Sequence, residues 1–392
     1  MDKSILSEEI QNFINKNLDA AVSALALQKN KFPSTNWITI LNQIASKQKA
    51  KNKLPTWYKT SNIYYPGKIS VEQASSEKTA AYKSQLVSGK KLIDLTGGFG
   101  VDDFYFSKRV NHVTHCEINR ELSEIVKYNF EKLKAQNIEC LAGDSSEILA
   151  TLNQKFDWIY IDPSRRNDAK GKVFMLQDCL PNVPELLDFY FGFADNIMIK
   201  TAPILDISAG LTELKNVKEI HIIALENEVK ELLWILEKKY SKSIQMATCN
   251  LTKDKTEEFS FEFENSAISN YSMPKKYLFE PNAAIMKSGG FDEVTVHFEV
   301  EKLHQHSHLY TSDISIDFPG RAFKIESSFE YNKQNMKSLL ENKKANITTR
   351  NFPETVENIR KKWKIKEGGN VYCFFTTNIN NNKIVLLCSK LK

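Results

Sequence analysis

Four acidic residues, Asp94, Glu117, Asp144 and Asp162, each follow a short apolar run: "KLID", "HVTHCE", "IECLAGD" and "FDWIYID". Such runs read as strands buried on both faces, so each acid falls at a strand's carboxyl end. In open α/β sheets that edge binds ligands, and an acid after the second strand accepts hydrogen bonds from ribose hydroxyls. Between the first two acids lies the turn "LTGGFGVDD". A P-loop needs a Lys and then a Ser or Thr after its last glycine, and none follows Gly100. A dinucleotide fingerprint needs a third glycine, and Asp103 stands in its place. An acid at that helix start suits the helix dipole but repels a phosphate. The ligand these residues suit has a ribose, a base and a positive charge.

The elements that must hold these residues alternate between two periods. "KLIDLT", "HVTHCEI", "IECLAGD", "FDWIYIDP" and "NIMIKTAP" read as strands, with amphipathic helices at 101–109, 119–136, 145–153 and 184–193. The expected fold class is therefore α/β, a parallel sheet covered on both faces. "VKEIHIIALE" and "SIQMATCNL" add two strands, and "VKELLWILEKK" between them fits helix or strand. Residues 1–65 read as a helical region. Its first helix, "SILSEEIQNFINKN", rests on apolar spacing, because Ile10 stands where a capping box needs Glu or Gln. After Pro274 the pattern changes: "FDEVTVHFEV" and "NVYCFFTT…KIVLLC" alternate in the manner of strands, as in an α+β module. The expected domains are 1–65, 66–265 and 270–392.

At 392 residues the chain exceeds one typical core. Its net charge of +5 is uneven: Lys275 to Lys392 carries 19 Lys and Arg against 13 Asp and Glu, and the remainder 34 against 35. A basic C-terminal part suits a polyanion partner, and equally a solvated surface. No run approaches the ~18 apolar residues of a membrane helix. "MDKSILSEEIQNF" lacks a signal-peptide core, so a cytoplasmic protein without a membrane partner is expected. Six cysteines without CxxC spacing argue against a zinc ribbon or a disulfide framework and fit a reducing compartment. His304, His306 and His308 alternate in "HQHSH", on one face if that segment is a strand. No Cys or carboxylate is well placed beside them, so no metal is expected.

In this order, "LIDLTGGFG", "HCEINRE", "LAGDSSE" and "FDWIYIDPSRR" resemble motifs of the class I S-adenosylmethionine-dependent methyltransferases, over roughly residues 70 to 250. The resemblance implies a Rossmann-like sheet with S-adenosyl-L-methionine as cofactor. It sets Asp94, Thr96, Gly97, Gly98 and Gly100 around the methionine part and Glu117 on the ribose. Ile118 would then pack on the adenine, with Asp144 and Ser145 at its edge. Thr96 stands where the family more often has a glycine. Upstream, "EQASSE" resembles a segment near the cofactor pocket of bacterial methyltransferases with a THUMP-like C-terminal domain, which implies contacts from Gln73 and Ser75. As a residue pattern, Ser75 or Ser76 also reads as the cap of "EKTAAYKSQL".

"YLFEPNAAIMKSGGF", "HLYTSD", "FPGRAFKI" and "NITTRNFP" resemble that THUMP-like domain, which implies structured RNA as partner. Lys343, Lys344, Arg350, Arg360, Lys361, Lys362 and Lys364, interleaved with Phe352 and Trp363, suit a phosphate backbone and stacked bases. They equally suit a solvated helix face with a buried Trp. Related nucleic-acid amino-methyltransferases carry Asp-Pro-Pro-aromatic where this chain has Asp162, Pro163, Ser164 and Arg165, the candidate catalytic residues. Arg166 and Lys200 are candidates for binding a substrate anion. No cysteine lies in "DPSRR" or "KTAP" to attack a pyrimidine carbon. The expected function is methylation of a base nitrogen in structured RNA, tRNA or rRNA. The alternatives are methylation of a protein or small molecule, and a non-catalytic RNA-binding module.

Overall fold

A computed structural model describes residues 1–165, 175–264 and 267–391. They fall into two compact units, Met1–Lys218 with Leu232–Lys242, and Glu219–Glu231 with Ser243–Lys392.

In the first unit, apolar runs form β1 (Lys91–Asp94), β2 (His112–Glu117), β3 (Ile138–Ala142) and β4 (Phe156–Ile161). The short antiparallel pair β5 (Ser164–Arg165) and β6 (Cys179–Leu180) follows, and then β7 (Ala194–Thr201). The long strands run parallel in the order β7-β4-β1-β2-β3. Helices Val101–Phe106, Arg120–Lys132, Ser145–Leu152 and Val183–Tyr190 connect them, the Rossmann-like α/β arrangement expected from the alternation. Strand order reverses between β1 and β4, which opens a crevice at their carboxyl ends.

The segment that fitted helix or strand is a strand. After β8 (Val217–Leu225), Glu226 and Asn227 take φ of 51° and 64°, and the chain folds straight back into β9 (Glu228–Glu237). Two successive left-handed residues are what a type I′ hairpin turn requires. Residues 232–237 of β9 run antiparallel to β7, and the unbroken buried run Leu232 to Leu236 suits a strand covered on both faces.

The helical N-terminal region covers the helices that follow the glycine turn. Leu54, Trp57, Tyr65 and Val71 pack with Phe99, Val101, Phe104, Val126 and Phe130 in one buried cluster. Helix Trp37–Lys53 lies within this region, and Ser7 precedes Glu8–Lys16 without a side-chain cap, as the missing capping box implies.

In the second unit, β8 pairs in parallel with β10 (Gln245–Leu251), which pairs antiparallel with β11 (Thr256–Glu262). A seven-stranded sheet follows, built from β12 (Tyr277–Pro281), β13 (Glu301–Lys302), β14 (Tyr310–Ser312), β15 (Gly320–Glu330), β16 (Asn346–Thr349), β17 (Val371–Thr377) and β18 (Lys383–Lys390). Its order is β13-β14-β12-β15-β18-β17-β16.

Two readings of this unit need correction. "FDEVTVHF", expected as a strand, is the helix Phe291–Phe298. Its core contacts follow the helical spacing Phe291, Val294, Thr295 and Phe298, while Val296 is exposed, so the apparent alternation was incidental. "HQHSH" lies in a loop rather than a strand: His304 bonds Asn381 at 3.0 Å and His308 stacks on Phe291, 3.6 Å between ring centroids. Among the described residues no group of three or more His, Cys, Asp or Glu is placed to hold a metal, and no helix is long and apolar enough to cross a membrane. Trp363 and Phe352 pack into a core cluster, which leaves helix Val356–Trp363 with a solvated basic face.

Gly100 is both left-handed and closely packed within the glycine turn. Its φ is +73°, and a Cβ there would lie 2.5 Å from Phe130 and 2.8 Å from Val126. Left-handed strain and overpacking each cost roughly 1–3 kcal/mol. Gly100→Ala should therefore lose about 2–4 kcal/mol in urea unfolding, and a loss below about 0.5 kcal/mol would contradict this packing.

Candidate active site

The crevice is organised by Thr96. Its N–H donates to Asp94 Oδ1 at 2.7 Å, and its hydroxyl lies 3.1 Å from the same oxygen. That hydroxyl also accepts the Asp162 N–H at 2.7 Å. One side chain thus ties the turn after β1 to the turn after β4, across the point where strand order reverses. Asp162 Oδ2 receives Lys200 Nζ from β7 at 2.5 Å, with the Asp162 side chain 37% exposed and so open to a substrate. The backbone of Ser164 and Arg165 pairs with β6, and Pro163 is half-buried before it. Of Arg165 only the backbone is described, and Arg166 lies outside the described residues.

On the β2 side, Glu117 Oε2 accepts the Gly98 N–H at 3.0 Å and Oε1 accepts the Asn119 N–H at 2.7 Å. Each carboxylate oxygen keeps a further acceptor site. Ile118 is 74% exposed beside it, an apolar side chain at the position expected to cover a base. Gly98 has φ +54°, and a Cβ there would meet nothing nearer than Thr96 O at 3.7 Å, so a ligand can approach this backbone closely. Asp144 caps helix Ser145–Leu152 through the N–H groups of Ser146 and Glu147, and Ser145 is the first residue of that helix. Gln73 is exposed at the end of helix Lys68–Gln73. A separate cavity of about 220 Å³, lined by Gln43, Tyr64, Tyr65 and Asn119 among others, reaches the Glu117 turn through Asn119.

Asp94 sits behind the turn rather than on the rim, 1% exposed. It lies near the Asp103 carboxylate, which contacts His115 Nδ1 at 2.6 Å, with both of those side chains fully buried. Burial, then the neighbouring carboxylate, pushes Asp94 and Asp103 well above the usual carboxylate range, and burial pushes His115 down. Gly97 closes over this cluster, since a Cβ there would lie 2.1 Å from the His115 ring. Next to it, Asp102 accepts Ser75 Oγ at 2.8 Å and Tyr160 Oη at 2.9 Å and lies 3.1 Å from Lys83 Nζ, itself fully buried. Burial raises Asp102, but Lys83, Lys200 and these hydroxyls outweigh it and hold the carboxyl below its ordinary value. Ser75 therefore works inside this network, while Ser76 is the helix cap, accepting the Thr79 N–H.

Sequence reasoning missed Lys83, Asp102, His115 and Tyr160. The available signal was Lys83 itself, a lysine four residues after Thr79 on the buried face of a short helix. Cys179 stands opposite Arg165 in the β5–β6 pair, but its side chain is fully buried and unsuited to nucleophilic attack.

The donor set suits a sulfonium nucleoside: acceptors held on the turns, an open glycine, an exposed apolar residue, and no cation at the glycine turn for a pyrophosphate. S-adenosylmethionine supplies an electrophilic methyl group.

Asp103 also sets a pH dependence. A carboxyl whose folded pKa is raised stabilises the fold below its unfolded pKa near 4, and that contribution is lost as pH climbs toward the folded value. Asp103→Asn removes this loss. Between pH 4.5 and 8, urea unfolding should show wild-type stability falling relative to Asp103→Asn. Parallel pH profiles would contradict the raised carboxyl.

Comparison with known proteins gives this geometry its relatives. A family model described as conserved hypothetical protein 95 matches residues 67–178, a ferredoxin-like domain matches 277–319, and a THUMP domain-like model matches 320–390. A protein of Porphyromonas gingivalis W83 assigned as a methyltransferase, known from its crystal structure, is 30% identical, with 100% of this chain and 99% of that chain covered and a TM-score of 0.87. The Escherichia coli protein yhhF, also assigned as a methyltransferase, is 20% identical over 42% of this chain and 85% of its own, with a TM-score of 0.31. The Pyrococcus abyssi tRNA (uracil-54, C5)-methyltransferase in complex with S-adenosyl-L-homocysteine is 20% identical over 45% of this chain and 39% of its own, with a TM-score of 0.31. No curated protein matches the sequence. On its full-length likeness to the Porphyromonas protein, and on the fold and family matches, the chain belongs to the class I S-adenosylmethionine-dependent methyltransferases with a C-terminal THUMP-like domain.

Proposed function

We propose that this enzyme methylates a base nitrogen in structured RNA, tRNA or rRNA, with residues 66–265 as the catalytic domain and 270–392 as the RNA-binding module. The observation that carries the chemistry is the Asp162 carboxylate, fixed by Lys200 and tied through Thr96 to the glycine turn. The THUMP domain-like match over 320–390 and the basic C-terminal part support RNA as the substrate class.

Methyl transfer to nitrogen is a direct in-line displacement that loses charge in the transition state, so proximity and orientation supply most of the rate. Gly98 offers its backbone to the methionine part, with Thr96, Gly97 and Gly100 shaping the turn and Asp94 holding it from beneath. Glu117 accepts hydrogen bonds from the ribose hydroxyls. Ile118 covers the adenine, Asp144 and Ser145 border its edge, and Gln73 closes the methionine side. Asp162 accepts a hydrogen bond from the target amine or ring N–H and takes its proton. Pro163 and Ser164 shape the base pocket, Arg165 is assigned to the same step, and Arg166 and Lys200 are assigned to binding a substrate anion.

Glu117→Ala should weaken cofactor binding about 10–100-fold by calorimetry, the worth of hydrogen bonds to a charged group; equal affinity would remove Glu117 from the site. Asp162→Asn should lower kcat for labelled-methyl transfer to RNA about 100-fold or more, while cofactor affinity stays within about threefold. Unchanged kcat, or label that enters only protein when RNA and protein extracts are both offered, would refute the assignment.

A further inference from the structure

The stretches that carry the THUMP-like resemblance converge on one buried carboxylate. Glu280 comes from "YLFEP", Arg321 from "FPGRAFKI" and Arg350 from "NITTRNFP". Three strands separate β12 from β16 in the sheet order, yet Arg350, just after β16, reaches Glu280 on β12, so the sheet curls to bring them together. The Glu280 side chain is 4% exposed. Its Oε2 receives Arg321 Nε at 2.6 Å and also pairs with Arg321 Nη2, while Oε1 receives Arg350 Nη2 at 2.9 Å and Nε at 3.2 Å. Arg321 lies over the rings of Phe323 and Phe374, 5.6 and 6.0 Å from their centroids, and its Nη2 reaches Thr348 Oγ1 at 3.4 Å.

One guanidinium already neutralises the charge of a buried carboxylate. The second leaves a net positive charge. Both arginines remain partly open to solvent, 41% and 34% exposed, and neither Nη1 has a partner among the described residues. Two guanidinium planes are thus held rigid on one side with donors left over on the other, which is the geometry that recognises phosphate oxygens. His308, from "HLYTSD", senses the same field: burial, then Lys302 and Arg350, lower its pKa to about 4. We propose that Arg321 and Arg350, anchored on Glu280, form a clamp for a backbone phosphate of the RNA substrate. This rests on the RNA reading above and assigns it a subsite.

The test is the salt dependence of binding to fluorescently labelled, unfractionated tRNA, since a backbone contact needs no particular sequence. Arg321→Gln and Arg350→Gln should each weaken binding about fivefold near 0.15 M salt and lower the slope of log K against log salt by about 0.7–0.9. Thermal unfolding and cofactor affinity should stay near wild type in at least one of the two. Wild-type slopes in both folded variants would overturn the clamp and leave RNA methylation standing. A wild-type protein that binds neither this tRNA nor labelled rRNA would remove both readings. Failure of both variants to fold would assign the guanidiniums to the fold and overturn the clamp as well.

Discussion

One hydroxyl holds the catalytic half together. Thr96 accepts a hydrogen bond from the Asp162 backbone and lies against Asp94, so the glycine turn and the Asp162 turn are fixed relative to each other. Direct methyl transfer tolerates little error in the line between donor and acceptor, since a misplacement of about 1 Å costs on the order of 100-fold in rate. The position where this family more often has a glycine therefore carries the cross-brace of the crevice. The loop's backbone freedom is supplied instead by Gly98 and Gly100, both at positive φ.

Beneath that brace lie two carboxyl groups pushed up and one held down. Asp94 and Asp103 share a dry site with His115, whereas Asp102 is paired with Lys83 and hydrogen-bonded by Ser75 and Tyr160. Buried charge is tolerated where it is paired, and the network joins the segment before β1 to the helix after it and to β4. This joins Ser75 to the crevice through its floor. The same floor disfavours an anionic ligand above it and suits a cationic one.

The sheet was legible because buried parallel strands are short and almost wholly apolar, and the cap of the helix before β1 was narrowed to Ser75 or Ser76. The helix Phe291–Phe298 was not, because Val and Phe at alternate positions satisfy a strand's period as well as a helix's when the run is only eight residues long. β9 was undecidable because an unbroken apolar run fits a buried strand or a buried helix, and the two left-handed residues before it with its pairing to β7 make it a strand. Of the candidate site, the rim residues Glu117 and Asp162 could be read from strand ends. The buried network could not: Lys83 and Asp102, or Glu280 and Arg350, meet only through tertiary packing, and no local spacing encodes sheet curvature. Basic residues around Trp363 looked alike in the sequence, yet Arg360 bonds the carbonyls of Ala345 and Ile365, and Lys362 pairs with Glu354.

The most direct measurement incubates the wild-type protein with methyl-labelled S-adenosylmethionine and total RNA from cells lacking this protein, then digests the RNA and separates its nucleosides by mass spectrometry. Label in a single nucleoside methylated on a ring or exocyclic nitrogen is the expected result. Label on a carbon or a ribose oxygen, or no label in RNA at all, would contradict an active site built around Asp162.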